Sequence, residues 1–206
     1  MTEPPHHDAP VAADLAAEWP GLRLVSTRFP AVPGPSPPEL RERLRALSDR
    51  FGGAQAIALR RQPIPHAYRV FFRHIGLEPD EHRIPVEELA LERMKHGGFK
   101  SRNLLDDAIT IAVMETGVPV WALDAAAVDG DLRLRAAEPG EEVPRGRLVV
   151  ACGTRPLVVL FDDPGPDVGV TERTREMVLF SVAVPGVPPI HVEEALWTVW
   201  DTVGSG

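Results

Sequence analysis

The stretch NLLDDAITIAVMETGVPVWALD, residues 103–124, decides the reading of the fold. Leu104, Leu105, Ala108, Ile109, Ala112 and Val113 recur at three- and four-residue spacings, which predicts a helix apolar over most of its surface and therefore mostly buried. Gly117 ends it. Directly beyond, VPVWAL (118–123) has the β-branched and aromatic content of a strand, and the chain then continues in strands: LRLRAA (132–137), LVVAC (148–152), PLVVLF (156–161) and MVLFSVAV (177–184). Asp-Gly, Pro-Gly and Gly-Thr steps separate them as turns.

Upstream the pattern is helical. GLRLVSTRF (21–29) alternates as a first strand, and AVPGPSPP (31–38) is a connector too rich in proline for helix or central strand. Ser36 reads as the N-cap of a helix carrying Leu40, Leu44, Leu47 and Phe51 on one face, with Glu39 as the capping-box acid and Gly52 and Gly53 as the stop. A second helix follows Pro63 and Pro65 (AYRVFFRHIGL). A third follows Pro85 (VEELALERMKH), with acids in its first turn and bases in its last, and stops at Gly97 and Gly98. IHVEEALWTVWDTV (190–203) closes the chain as an amphipathic helix. Helices first, then consecutive strands, then a helix predict an α+β fold rather than alternating α/β units. Residues 1–20, with Pro4, Pro5 and Pro10, read as a loose N-terminal tail with at most one short helix, and residues 21–206 as a single domain.

The composition, 206 residues with 44% hydrophobic and 25% charged, is that of a globular protein able to bury its own core. The lone Cys152 excludes an intramolecular disulfide framework and a four-cysteine zinc site. With no basic, apolar leader and no run near the ~20 apolar residues of a membrane span, a cytoplasmic location is expected and a membrane partner is not. A net charge of −8 disfavours sequence-blind attraction to DNA or other polyanions. The charge is uneven, however. Between Glu39 and Arg102 there are 13 Lys or Arg against 9 Asp or Glu, so a local basic patch is available there.

No phosphate-binding glycine loop, dinucleotide fingerprint, metalloprotease helix, nucleophile elbow or calcium loop occurs, so neither a cofactor nor a metal is expected. Cys152 ends an apolar strand, where thiols are usually inert. Asp162 and Asp163 form an acidic pair at a strand end, suited either to site chemistry or to capping a turn.

Ser101–Glu142 resembles the B3/B4 editing domain of the phenylalanyl-tRNA synthetase β subunit, and its free-standing relatives more closely. The resemblance is carried by Asp107 in the helix, Gly117 with Pro119, Asp124 at a strand end, and Gly130 with Asp131. It extends upstream to Tyr68–Arg73 and downstream through LVVACG and Thr171–Arg175, covering roughly residues 60–184. It implies a three-layer B3/B4-type domain with a β-sandwich of unusual topology. It also implies a tRNA-binding function, editing by hydrolysis of a mischarged aminoacyl ester, where a synthetic site cannot by itself reject one added hydroxyl. The implied partner is tRNA or aminoacyl-tRNA, weakly held.

The chain also departs from that family. Trp121 stands where editing domains carry a His, Ile109 and Thr110 replace a Thr-Asn pair, Phe180 or Ser181 replaces a Glu, and DDPGPDVG replaces a Gly-Gly loop. Because the family residues hold the amine and the tyrosine hydroxyl, these departures imply a smaller, apolar or altogether different ligand, or none. Asn103, Asp107, Thr110, Trp121 and Asp162 are the candidate substrate-binding residues. The structural alternatives are an N-cap for Asn103, a helix or turn cap for Asp107 and Asp124, and core for Trp121. At the level of function, the alternative is a non-catalytic module that binds a small molecule or a protein on the same fold.

Overall fold

A computed structural model describes residues 6–144 and 146–204. Among the described residues seven strands form two antiparallel sheets. In the first, β1 (His7–Ala9), β2 (Arg23–Pro30), β7 (Glu176–Ala183) and β3 (Trp121–Asp124) lie in the order β1-β2-β7-β3. In the second, β4 (Leu132–Ala136), β5 (Leu148–Cys152) and β6 (Arg155–Val159) follow in sequence order. β7 is buried at every position after Glu176, as a central strand covered on both faces must be. The helices are α1 (Ala13–Glu18), α2 (Pro38–Arg50), α3 (Gly53–Leu59), α4 (Pro63–His74), α5 (Pro85–His96), α6 (Leu104–Thr116) and α7 (Pro189–Gly204). The fold is mixed α+β, as expected. Buried side chains from Leu15 to Val203 join in one continuous core.

α6 is the organising helix. It packs against α2, α5 and α7, and Ala108, Ile111 and Ala112 are fully buried along it. Gly117 closes it at φ 76°, a left-handed conformation that lets its N–H bond the Val113 carbonyl. The chain then passes through Val118–Val120 into β3.

Three local expectations are corrected. The loose tail is not loose over residues 7–18: β1 pairs with β2, the Leu134 N–H donates to the Pro10 carbonyl at 2.9 Å, and Leu15 enters the core. A three-residue edge strand is stabilised by its neighbour, which local sequence does not display. Pro4 and Pro5 lie outside the described residues. Ser36 does not cap α2, whose N-cap is Pro37; its buried hydroxyl instead donates to Asp107 at 2.6 Å. Gly53, read as a stop, opens the short helix α3, with the Gly52 N–H bonded to Gln55 Oε1 at 3.1 Å.

Two buried polar links set α4 and α5 in place. Tyr68 donates to the Val182 carbonyl at 2.7 Å, and burial pushes its pKa far above the usual tyrosine value, so the hydroxyl remains a neutral donor. Arg69 reaches from α4 to both carboxylate oxygens of Glu87 on α5 at 3.0 and 2.8 Å and to Asp80 at 2.9 Å. Nη1 makes both bonds to Glu87 and Nη2 the one to Asp80, so the planar guanidinium spans two acids at once in a way an ammonium does not.

Candidate functional site

A cleft of about 760 Å³ lies between α5, α6, β3 and the segment after β6. On α6, Asp106, Ile109, Thr110 and Val113 line it, spaced i, i+3, i+4 and i+7 along one stripe. Val120, Trp121 and Ala122 form the floor, and Arg83, Glu88 and Glu92 form the wall on the α5 side. Phe161, Asp162 and Asp163 close the far side.

The floor is aromatic and well packed. Trp121 faces Phe180 across the β3–β7 pair, and their rings stack at 5.4 Å and 16°. Phe161 meets Trp121 at 5.9 Å, Phe72 at 4.5 Å and Tyr68 at 6.3 Å. Phe161 has φ 73°, the one positive value at a non-glycine among the described residues. A bulky side chain in that region costs about 1–3 kcal/mol and persists when the surroundings fix it. Here the ring contacts supply that constraint, and the turn they hold brings Asp162 and Asp163 to the cleft.

The mouth is acidic. Glu88, Glu92, Asp106, Asp162 and Asp163 line it beside Arg83 and Arg102, while Lys95 and Arg147 partner Glu92 and Asp162 from outside the lining. The Lys95 hydrogen bond at 2.8 Å is the main influence holding the Glu92 carboxyl below its ordinary pKa, with His96 adding to it, so Glu92 is anionic at neutral pH. Asp162 is partnered by Arg147 at 2.9 Å and stays exposed.

Of the five residues singled out from sequence, Thr110, Trp121 and Asp162 converge on this cleft and Asn103 and Asp107 do not. Asn103 caps α6, its Oδ1 accepting from the Asp106 N–H at 2.9 Å. Asp107, 1% exposed, lies on the flank toward α2, where it accepts from Ser36 Oγ at 2.6 Å, Ser101 Oγ at 2.5 Å and the Arg102 N–H at 2.9 Å. It ties the segment before α6 to the start of α2. Asp124 caps a 3-10 turn at Ala125–Ala127 and accepts from Thr174 Oγ1 at 2.6 Å. Cys152 does not line the cleft.

Arg83, Glu88, Glu92, Arg102, Asp106 and Phe161 also line the cleft and are not singled out by the sequence, whereas Asp163 belongs to the acidic pair that is. Their signal in the sequence is an ordinary polar helix face or loop, and only the fold shows that this face borders a cleft. Among the described residues no group of three or more His, Cys, Asp or Glu could hold a metal ion, and no helix is long and apolar enough to cross a membrane.

No protein-family model matches the chain. Curated proteins do. The phenylalanine–tRNA ligase β subunit of Pseudomonas fluorescens (strain Pf-5) is 31% identical over a stretch taking in 47% of this chain and 14% of that subunit. The β subunit of Pseudomonas putida gives the same identity and coverage, and that of Vibrio vulnificus (strain YJ016) is 30% identical over 43% of this chain and 12% of its own length. The chain thus corresponds to about one-seventh of the curated relatives it matches. Within that span it is similar to the β subunit of phenylalanine–tRNA ligase.

Proposed function

We propose that the chain is a single B3/B4-type module, acting in the cytoplasm, whose cleft receives the aminoacylated 3′ end of a tRNA and hydrolyses the ester of a mischarged one. The observation that carries this reading is convergence. Ile109, Thr110, Trp121 and the segment at Asp162, three of the four places where the resemblance puts its site residues, line one cleft, and the fourth, at Phe180 and Ser181, is buried beneath Trp121. The acidic mouth suits the α-ammonium group of an aminoacyl ester, and the apolar floor suits its side chain.

The chemistry asks little of the protein. A bound water adds to the ester carbonyl carbon, the bond from that carbon to the ribose oxygen breaks, and the departing oxygen takes up a proton. Thr110 and nearby backbone N–H groups orient the carbonyl, and the neighbouring ribose hydroxyl of the tRNA assists. With Trp121 and Phe180 or Ser181 standing where the resemblance puts a His and a Glu, the tyrosine hydroxyl loses those partners, so small apolar side chains are the preferred substrates. A second reading, a non-catalytic site for a cationic small molecule, is favoured by the same acidic mouth.

The test is hydrolysis of a panel of mischarged tRNAs, including tyrosine on the phenylalanine tRNA. Esters of small apolar amino acids should be cleaved faster than the tyrosyl ester by roughly tenfold or more. If no ester is cleaved faster than it decays unaided, the editing reading fails and the binding reading replaces it.

A further inference from the structure

Of the charged surfaces outside the cleft, the flank shared by α2 and the segment before α6 is built in an unusual way. Residues 98–104 run antiparallel alongside α2 and are pinned at both ends. The Phe99 N–H donates to Ser48 Oγ at 2.7 Å near the end of α2, and the Leu104 N–H donates to the Gly34 carbonyl at 2.9 Å just before its start. Between these points the Ser101 hydroxyl donates to Asp107 and the Phe99 ring meets Phe51 at 6.4 Å. Lys100 and Arg102 are exposed, as is Ser101 between them.

On α2, Arg41 and Arg45 share the flank of Ser48 by helical register and are likewise exposed, about 6 Å apart along the axis. None of these four cations has an acid partner among the described residues, whereas Arg43 and Arg50 on the opposite flank are both taken up by Glu115, at 2.6 and 3.9 Å. The acids Glu42 and Asp49 adjoin Arg45 at i−3 and i+4 without an ion pair to it, and Asp106 belongs to the cleft mouth. Arg102 closes the series and itself lines the cleft.

We infer that Arg41, Arg45, Lys100 and Arg102 form a phosphate-binding strip that holds the single-stranded end of an RNA and directs its terminus into the cleft. The inference rests on the cleft being the site proposed above. Unpaired cations at fixed spacing on a chain of net charge −8 are suited to an oriented, salt-sensitive contact rather than to general adhesion. Sequence plays no part in such a contact, because phosphates position a strand and do not identify it.

The probe is an uncharged hairpin RNA ending in a single-stranded CCA, with retention on filters measured across a salt series. Wild type should bind with a steep salt dependence, and R41Q/R45Q/K100Q/R102Q should lose about 3 from the slope of log K against log salt. R41K/R45K/R102K should keep the slope, and R155Q/R173Q, on exposed arginines elsewhere, should leave it unchanged. Equal slopes for wild type and the quadruple variant would overturn the strip, as would a wild type that retains no RNA. Polyglutamate bound as tightly as the RNA would also overturn the assignment. Ester hydrolysis is read beside these measurements. Cleavage with an unaltered slope leaves the cleft reading standing without the strip, and a reduced slope without cleavage leaves the strip standing without catalysis.

Discussion

Replacing Trp121 by Ala is expected to lower stability by about 3–5 kcal/mol and to widen what the cleft accepts. The first effect follows from the packing. The indole is 6% exposed, lies flat on Phe180 and touches Phe161, so truncation removes transfer free energy and leaves a void that two large rings cannot fill. For a chain of this size that corresponds to a melting temperature lower by roughly 10 °C. The second effect follows from position. Trp121 is floor as well as core, so the void opens into the cleft between α6 and β3. Larger aminoacyl side chains should then be tolerated, read as a gain in cleavage or binding of bulky esters relative to small ones. A loss of melting temperature with the ester preference unmoved would make Trp121 a core residue only.

Asp107→Ala is the other large effect, and it acts through a different route. The carboxylate accepts three hydrogen bonds in a buried place, two from hydroxyls and one from a backbone N–H. Each donor stranded there costs about 1–3 kcal/mol, less whatever water recovers at the Ser101 end, so a net loss of about 3–4 kcal/mol is expected. The loss should be local in character. Hydrogen exchange should rise first in residues 98–104, which lose their tie to the start of α2, and RNA retention should weaken with it because Lys100 and Arg102 ride on that segment. Cleavage of a small aminoacyl ester lacking the RNA should change little, because Asp107 does not border the cleft. Loss of that cleavage in a fully folded Asp107→Asn protein would return Asp107 to the site.

The contrast between these two residues shows where sequence stops being informative. Trp121 was placed by its neighbours: Gly117 ends α6, the chain turns through Pro119, and the strand that follows presents its side chains to a fixed partner, β7. Asp107 is hard to place from sequence because Asp106 and Asp107 both adjoin the apolar stripe of α6, only 100° apart round the helix. Asp106 shares the stripe of Ile109, Thr110 and Val113 toward the cleft, and Asp107 turns toward α2. Its deciding partner, Ser36, is 71 residues away, beyond the reach of any local pattern.

The same rule covers the fold. α6, α5 and the strands from β3 to β7 were legible because each carries its own periodicity and stop signals. β1 was not, since a short edge strand is specified by the strand it joins. The acidic face of α5 was legible as a polar helix face, but its role as a cleft wall depends on where the Arg69–Glu87 pair sets that helix.

The central claim, that the cleft takes the aminoacyl end of a tRNA, is tested most directly by backbone and indole chemical shifts of the whole chain. The titrant is an adenosine bearing a non-hydrolysable 3′-amide of alanine. The account predicts perturbations concentrated at Ile109, Thr110, the Trp121 indole and Asp162. A saturating titration that leaves those residues unmoved, or moves only residues on the far sheet β4–β6, would contradict it.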